Sequence, residues 1–436
     1  MRAAQTGLLA VQWFLFILAN TVAVPVALAP ALGLDAAQTA GFVQRTFFIS
    51  GLITVLQAFF GHRLAIVECS GSMWIGVLVA MGAMASALGW AQEELLGMLA
   101  LAVLSGGIAS LVLGASGLLG KVTRLFSPPI TGTFLILLAL QVGGFFFPGM
   151  LGITPQHPTV DLRVALTSMA TIAGIVGVTL YAKGVVRSIG LLCGIALGWV
   201  LSVLLGRFNG AIEAAPSWFA PPQFLSWGMS GLDAGVILTG VITGVLVLSN
   251  GIASVVVLSR LSGRDPSARD FNGSAAFTGV ANLLGGLLGT AGYAPFTASA
   301  GLVSVIGVTR VLPMVLGASA MLLMGLIPPI GQLVALLPPP VAYAALMGMF
   351  AQLFVIGVQD YHRWTLDSRG TFVIGLAVIF GLGVTHVSPG SFVELPQLIQ
   401  YILGNGMMVG LLVAILLEYV ILPRPRQRGG DGRRTA

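Results

Sequence analysis

The sequence predicts an all-α integral membrane protein. Charged residues make up only 8% of its 436 residues, whereas hydrophobic residues make up 57%. A soluble domain needs roughly a quarter of its residues charged to cover its surface. The apolar runs also lack the alternation of polar and apolar residues found in transmembrane barrel strands. The surface therefore mostly faces lipid, where each span must be helical to satisfy its own backbone hydrogen bonds.

Composition argues against several other classes of protein. The net charge of +6 comes from basic residues scattered singly among apolar runs, which is unlike a nucleic-acid-binding patch. Cys69 and Cys193 lie in apolar segments without disulfide or metal-site spacing. The four histidines form neither a metal cluster nor a nucleophile–base pair. We therefore expect no enzyme, no catalytic residues, no metal and no cofactor.

Breaks at charged residues, proline and glycine divide the chain into about fourteen apolar segments, near the length of about 20 residues that crosses a bilayer. The predicted spans are residues 7–33, 43–61, 66–88, 95–119, 128–147, 163–182, 188–206, 233–259, 271–289, 294–309, 312–335, 340–358, 370–387 and 397–421. Fourteen spans predict two seven-span repeats, residues 1–210 and 211–436. Because seven is odd, the second repeat is expected to be inverted relative to the first, a common transporter architecture.

The distribution of basic residues predicts the orientation. With a cytoplasmic N-terminus and alternating sides, 17 of the 20 basic residues fall on the cytoplasmic side. These are Arg2, Arg63, Lys121, Arg124, Lys183, Arg187, Arg260, Arg264, Arg269, Arg310, Arg363, Arg369, Arg424, Arg426, Arg428, Arg433 and Arg434. Arg45, Arg163 and Arg207 are the exceptions. The opposite loops carry the acids Asp35, Glu93, Glu94, Asp161, Glu213 and Glu394. Both termini are therefore predicted to be cytoplasmic.

Two spans begin with stretches that favour helix poorly. The third span opens with the segment 68–74, and the tenth, third in its half, opens with 294–301. Both are rich in small and hydroxyl residues. Discontinuous spans at matching positions of two repeats point to a transporter's binding site. The alternative is close helix packing, for which small residues are equally suited.

Polar residues deep in spans 1, 3, 8 and 10 are the candidates for binding substrate. They are Gln12, Asn20, Ser70, Ser72, Asn250, Ser254, Thr297 and Ser299. Polar groups are costly within a bilayer, so their presence there suggests function. Amides and hydroxyls match the alternating donors and acceptors of a planar heterocycle. The alternative for each residue is a hydrogen bond between helices.

Glu68 is the candidate group for proton coupling, because it enters the third span beside the predicted break. The alternative is that Glu68 pairs with Arg63 or His62 at the cytoplasmic surface. In that case the chain would be a facilitator that needs no proton.

The chain resembles the nucleobase–ascorbate transporter family, which includes the bacterial xanthine and uracil permeases. The stretch from Leu56-Gln57 through Phe60-Gly61-His62-Arg63-Leu64 to Glu68 resembles the family's run before its third helix. The segments 70–74 and 297–301, with Thr309-Arg310, resemble the family's two short binding strands and the exit from the second. The sequence departs from the family's common residues at Gln12-Trp13, Asn250 and Ala298.

The resemblance implies a core domain of helices 1–4 and 8–11 and a gate domain of helices 5–7 and 12–14. It implies a secondary transporter of a purine or pyrimidine nucleobase in the bacterial inner membrane, possible coupling to protons, and a homodimer. At the family's glutamate position, Asn250 is expected to contact the substrate directly. The alternative transporter is an anion carrier of similar layout, against which stands the lack of Arg or Lys deep in the core spans.

Overall fold

The computed structural model describes residues 3–119, 128–154, 156–207, 217–362, 367–392 and 394–422. Several residues that entered the charge count lie outside these ranges, among them Lys121, Arg124, Glu213 and Arg363. The structure is helical throughout apart from two short strands and the connecting loops.

The first half contains nine helices and one strand within the described residues. They are α1 (Ala3–Thr21), α2 (Ala23–Leu28), α3 (Ala36–Phe59), β1 (Glu68–Ser70), α4 (Ser72–Leu88), α5 (Gln92–Ser116), α6 (Pro128–Met150), α7 (Leu162–Tyr181), α8 (Val185–Ser188) and α9 (Gly190–Leu204). A 3-10 turn, Pro30–Leu32, follows α2.

The second half contains nine further helices and one strand within the described residues. They are α10 (Ala234–Leu261), α11 (Ala268–Leu288), β2 (Tyr293–Pro295), α12 (Ser299–Ile306), α13 (Val311–Met324), α14 (Pro328–Ala335), α15 (Pro339–His362), α16 (Ser368–Thr385), α17 (Gln397–Leu403) and α18 (Gly406–Leu416). The 3-10 turn Pro389–Phe392 precedes α17, and a π-helical turn, Leu417–Ile421, ends α18.

Each of the fourteen predicted segments contains a helix at the expected place, which confirms an all-α, multi-span membrane fold. Within the described residues, eight helices are long and apolar enough to cross a membrane alone. The pair α13 and α14, bent by 87°, makes a ninth span if it is counted as one. The third and tenth segments are broken, as predicted, because each begins with a strand before its helix.

Glycine allows the central helices to approach each other closely. Helix α5 packs against α10 and α11, and a Cβ built at Gly244 of α10 would lie 2.5 Å from the carbonyl oxygen of Gly106 in α5. Such small-residue contacts drive helix association in lipid, where burial of apolar surface provides little driving force.

The packing partners of the helices form two groups. Helices α1 and α3 pack against α13, α3 also packs against α14, and α5 packs against α10 and α11. Elsewhere, α6 packs against α15, α7 against α9, and α16 against α18. The first group carries β1 and β2, which lie between α3, α10 and α11.

Side chains cap the exposed starts of several helices. Asp35 caps α3 by accepting a hydrogen bond from the Gln38 N–H, at 2.7 Å. Asp161 caps α7 by accepting from the N–H groups of Arg163 and Val164, and it also pairs with Arg207. Slight burial disfavours its charge, but these partners outweigh that effect and hold the pKa of Asp161 below its ordinary value.

Candidate functional site

The two strands form an antiparallel ribbon that joins the halves of the chain. Glu68 pairs with Pro295, Cys69 with Ala294, and Ser70 with Tyr293. Each strand leads directly into a short helix, α4 or α12, whose first turn starts beside the ribbon. Neither helix start is capped by a side chain among the described residues, and the positive ends of the two helix dipoles lie beside the buried ribbon.

The Glu68 carboxyl group is fully buried beside this ribbon. Its Oε1 accepts hydrogen bonds from Gln57 Nε2 at 2.6 Å and from Thr278 Oγ1 at 2.8 Å. Its backbone N–H donates to Thr54 Oγ1 at 3.0 Å. Its Oε2 has no hydrogen-bond partner in the described part of the chain. One carboxyl oxygen is therefore held tightly by α3 and α11, and the other is unpaired.

The alternative in which Glu68 pairs with Arg63 or His62 at the surface is wrong. Arg63 is exposed, and its φ of 59° lies in the left-handed region. His62 is buried, but its Nδ1 accepts from the Leu64 N–H at 3.1 Å. The ribbon turns Glu68 inward, so its partners come from α3 and α11 instead of the preceding loop.

Asn282 secures the second strand. Its Nδ2 donates to the Tyr293 carbonyl at 3.2 Å, and its Oδ1 accepts from the Tyr293 N–H at 2.7 Å. Sequence reasoning missed both Asn282 and Thr278. They are four residues apart in α11 and so lie on one face of the helix, a pattern of polar residues that could have indicated this role.

A cavity of about 420 Å³ lies between α1 and α12 on one side and α7, α8, α9 and α15 on the other. Asn20 and Phe16 of α1 line it, together with Ala298 and the first turns of α12. Phe16 also packs on Phe296, with ring centroids 6.0 Å apart. The volume lies within the range of small-molecule sites.

One of the predicted residues, Asn20, lines this cavity, and three others lie behind its wall beside Ala298 without lining it. Asn20 lines it, and its Nδ2 donates to the Phe16 carbonyl at 2.8 Å, which leaves the amide oxygen without a hydrogen bond in the described part of the chain. Ser254 and Thr297 are joined through their hydroxyl groups at 2.8 Å, next to Ala298. Ser299 accepts from the Val67 N–H at 3.2 Å, so it links α12 to the ribbon.

The other four predicted residues do not line the cavity. Ser70 is buried in β1 with a hydroxyl group that lacks a partner among the described residues. Gln12 is half-buried in the middle of α1, and Ser72 is half-buried at the start of α4. Asn250 is half-buried one turn before Ser254, on the same face of α10. Direct contact between Asn250 and substrate therefore stays a prediction.

The opposite wall of the cavity supplies polar residues that sequence reasoning did not select. Thr179 of α7, Arg187 and Ser188 of α8 and Gln352 of α15 line this wall, and Arg187 is exposed. Thr179, Arg187 and Ser188 lie near span ends, where a polar side chain is ordinary, so their sequence carries little signal of function. Gln352 lies well inside α15, so its depth in the span could have indicated it.

Similarity to known proteins identifies the family of this chain. A family model for xanthine/uracil permeases, described as “Permease family”, matches residues 4–390. The chain belongs to this permease family. It is thus a membrane permease, not an enzyme, and the resemblance found in the motifs around Glu68 is confirmed.

Individual relatives agree with the family. The chain is 28% identical over 421 residues to “Uric acid transporter UacT” of Escherichia coli (strain K12), covering 94% of this chain and 85% of the relative. It is 26% identical over 423 residues to “Uric acid permease PucK” of Bacillus subtilis (strain 168), covering 95% of each.

Among solved structures, the transmembrane domain of a cyanobacterium bicarbonate transporter, BicA, resembles this permease with a TM-score of 0.60. The match covers 95% of this chain and 97% of that domain at 17% identity. At this identity the likeness concerns the fold alone, and it agrees with the all-α membrane architecture.

Proposed function

We propose that this permease carries a purine or pyrimidine nucleobase across the bacterial plasma membrane. The observation that carries the proposal is the cavity between α1, α12 and the wall formed by α7, α8, α9 and α15. It combines an aromatic ring, Phe16, with the Asn20 amide and several hydroxyl groups, which suits a flat ring with donors and acceptors on its edge. The names of the relatives support a purine in particular.

The proposed site recognises its substrate mainly by neutral polar groups. The Asn20 amide oxygen is available to accept a hydrogen bond, and Gln352 can act as donor or acceptor from the opposite wall. A site that hydrogen-bonds its substrate discriminates strongly against analogues that lack those groups, because its own polar atoms are then left unpaired. Arg187 is exposed at the same cavity, where its positive charge also allows a purine with one negative charge to bind.

An uptake screen tests this function. Cells that express the permease are given labelled purines, pyrimidines, ascorbate, sulfate and bicarbonate, with Asn20→Ala as the matched variant. We expect uptake of at least one nucleobase and its loss in the variant at normal expression. Transport of sulfate or bicarbonate without any nucleobase would instead establish the anion carrier.

We also propose that the two packing groups are the core and gate domains. The group with the ribbon comprises helices of segments 1–4 and 8–11, and the other comprises segments 5–7 and 12–14. The cavity then lies between the domains, so relative movement could expose it on either side in turn. The inverted relation of residues 1–210 and 211–436 is supported by β1 and β2, each at the start of the third segment of its half.

The proposed orientation has both termini in the cytoplasm. Cysteine substitutions at Glu93 and Asp161 should then react with an impermeant reagent added outside intact cells, whereas one at Lys183 should not. Reaction at position 183 would overturn the orientation without affecting the proposed substrate. We further propose a homodimer, for which the mass of the purified protein in detergent provides the measurement.

We propose that Glu68 couples transport to protons. The support for this is the unpaired Oε2 of a carboxyl group buried where two broken spans meet. A coupled carrier needs such a group to change exposure during the cycle. In proteoliposomes, a proton gradient should drive accumulation by the wild type, and Glu68→Gln should lose accumulation but keep exchange. Uptake by the wild type that ignores the gradient would make the permease a facilitator.

A further inference from the structure

A second cavity, of about 550 Å³, lies apart from the proposed substrate site. Its walls are the first turns of α3, the start of α14 and the loop before α10. Arg45, Trp227 and Gln332 contribute the side chains that matter here. None of these residues lines the cavity beside Asn20.

Arg45 places a buried cation at this cavity, which corrects the expectation that no Arg or Lys lies deep within the core spans. It lies nine residues after the start of α3, about 14 Å along the helix, yet only 7% of it is exposed. Its Nε donates to the Gly289 carbonyl at 3.3 Å. A Cβ at Gly41 would lie 2.9 Å from Arg45 Nη1, so the guanidinium group folds back over this glycine toward the helix start. No acidic side chain forms an ion pair with Arg45 in the described part of the chain.

Two further polar groups at the cavity lack partners. Trp227 is buried, with 3% of its surface exposed. Its Nε1 has no acceptor within the described residues. Its ring packs against Phe42, with centroids 5.5 Å apart, and lies over Gly289. Gln332 Oε1 likewise has no donor within those residues. Arg45 binds the carbonyl of Gly289, and the Trp227 ring lies over the same glycine. The Arg45 guanidinium group and Trp227 Nε1 are therefore close together.

We propose that this second cavity binds a small oxyanion. A buried guanidinium group without an acidic partner is costly unless an anion neutralises it. Its planar fork of N–H donors matches two oxygens of a phosphate or carboxylate group. Trp227 Nε1 offers a further donor, and Gln332 Oε1 can accept from the hydroxyl group of a hydrogen phosphate. The acidic residues Asp35, Glu93 and Glu94 do not line the cavity.

The anion has two possible sources that share this chemistry, a dissolved phosphate and the phosphate of a lipid headgroup. The cavity is formed by α3, α14 and the loop before α10, away from the cavity between the two packing groups. Binding there does not require the transport cycle, so a test of it does not depend on the proposed substrate.

Equilibrium binding of radiolabelled inorganic phosphate to the purified full-length permease tests the site. The protein is measured in detergent at constant ionic strength, and then in nanodiscs of phosphatidylcholine with or without phosphatidylglycerol. The variants are Arg45→Gln, Trp227→Phe and the control Arg260→Gln, which removes an exposed cation elsewhere. Size-exclusion chromatography establishes that each variant is folded.

We expect saturable binding by the wild type and by Arg260→Gln. Arg45→Gln should weaken it by about tenfold or more, and Trp227→Phe by about threefold, because a charge-assisted pair is stronger than a single neutral donor. If Arg45→Gln does not fold, Trp227→Phe decides. Displacement of phosphate by phosphatidylglycerol identifies a lipid headgroup, and lack of displacement identifies a dissolved anion. Absence of binding, or equal binding by wild type, Arg45→Gln and Trp227→Phe, overturns the proposal.

Discussion

Replacing Thr278 with valine tests whether the hydrogen bonds around Glu68 stabilise the centre of the permease. Valine keeps the shape of threonine but removes the hydroxyl group, which donates to Glu68 Oε1 at 2.8 Å. The same hydroxyl oxygen accepts from Gln57 Nε2 at 3.3 Å, so the substitution disturbs two contacts. Oε1 would keep only its bond from Gln57.

The expected cost follows from the burial of these groups. Hydrogen bonds between membrane helices contribute about 0.6 kcal/mol on average and up to about 1.7 kcal/mol. The acceptor here is a carboxyl oxygen with no access to water, so the upper part of that range applies. We expect Thr278→Val to lower the free energy of unfolding by about 1.5 kcal/mol, roughly a tenfold change in the unfolding equilibrium.

Unfolding in mixed micelles with increasing sodium dodecyl sulfate measures this change. Thr278→Ser is the matched control because it keeps the hydroxyl group and loses only a methyl group. The serine variant should remain closer to the wild type than the valine variant does. A valine variant as stable as the wild type, with serine the weaker of the two, would refute the reasoning, since only packing would then matter at this position.

Three further predictions concern the cavity, the helix packing and a helix cap. Arg187→Gln should weaken uptake of anionic urate by about threefold while leaving neutral hypoxanthine unchanged, because an exposed charge acts mainly by steering; equal effects on both substrates would argue against this role. Gly244→Ala should lower the free energy of unfolding by about 1–3 kcal/mol through overpacking. Gly375→Ala is the control, because open space surrounds that glycine, and it should not lower the stability in the same unfolding measurement. Asp161→Ala should lower stability by about 1 kcal/mol at neutral pH. Because the pKa of Asp161 is lowered in the fold, its contribution is fully present above the unfolded pKa of 3.8 and is lost as pH falls through the lower folded pKa. The gap in thermal unfolding between wild type and variant should therefore narrow as pH falls below 3.8, and a gap that widens with acidification would contradict this role of the charge.

The sequence was sufficient to predict the spans and the two breaks, because both follow from local composition. A run of apolar residues must cross the bilayer as a helix, and the small residues around Ser70 and Thr297 interrupt that pattern. Glu68 also stood out, because it is an acid beside the predicted break of the third span. These features need no knowledge of which segments are neighbours.

The partners of these residues could not be predicted, because they are set by packing between distant segments. Thr278 is separated from Glu68 by 210 positions, and nothing in the local sequence of α11 indicates which acid it faces. Arg45 appeared only as an exception to the charge distribution. Its cavity is formed with Trp227 and Gln332, from parts of the chain that the sequence does not bring together.

The ribbon of β1 and β2 also determines how this permease can be assembled. Each strand contributes three residues, and its backbone groups pair across the two halves of the chain. In lipid, an isolated half would expose these N–H and C=O groups with no acceptor or donor, at a cost of several kcal/mol for each group. Neither half is therefore an autonomous folding unit. During synthesis, β1 therefore stays without its partner strand in the bilayer until Tyr293–Pro295 has been inserted.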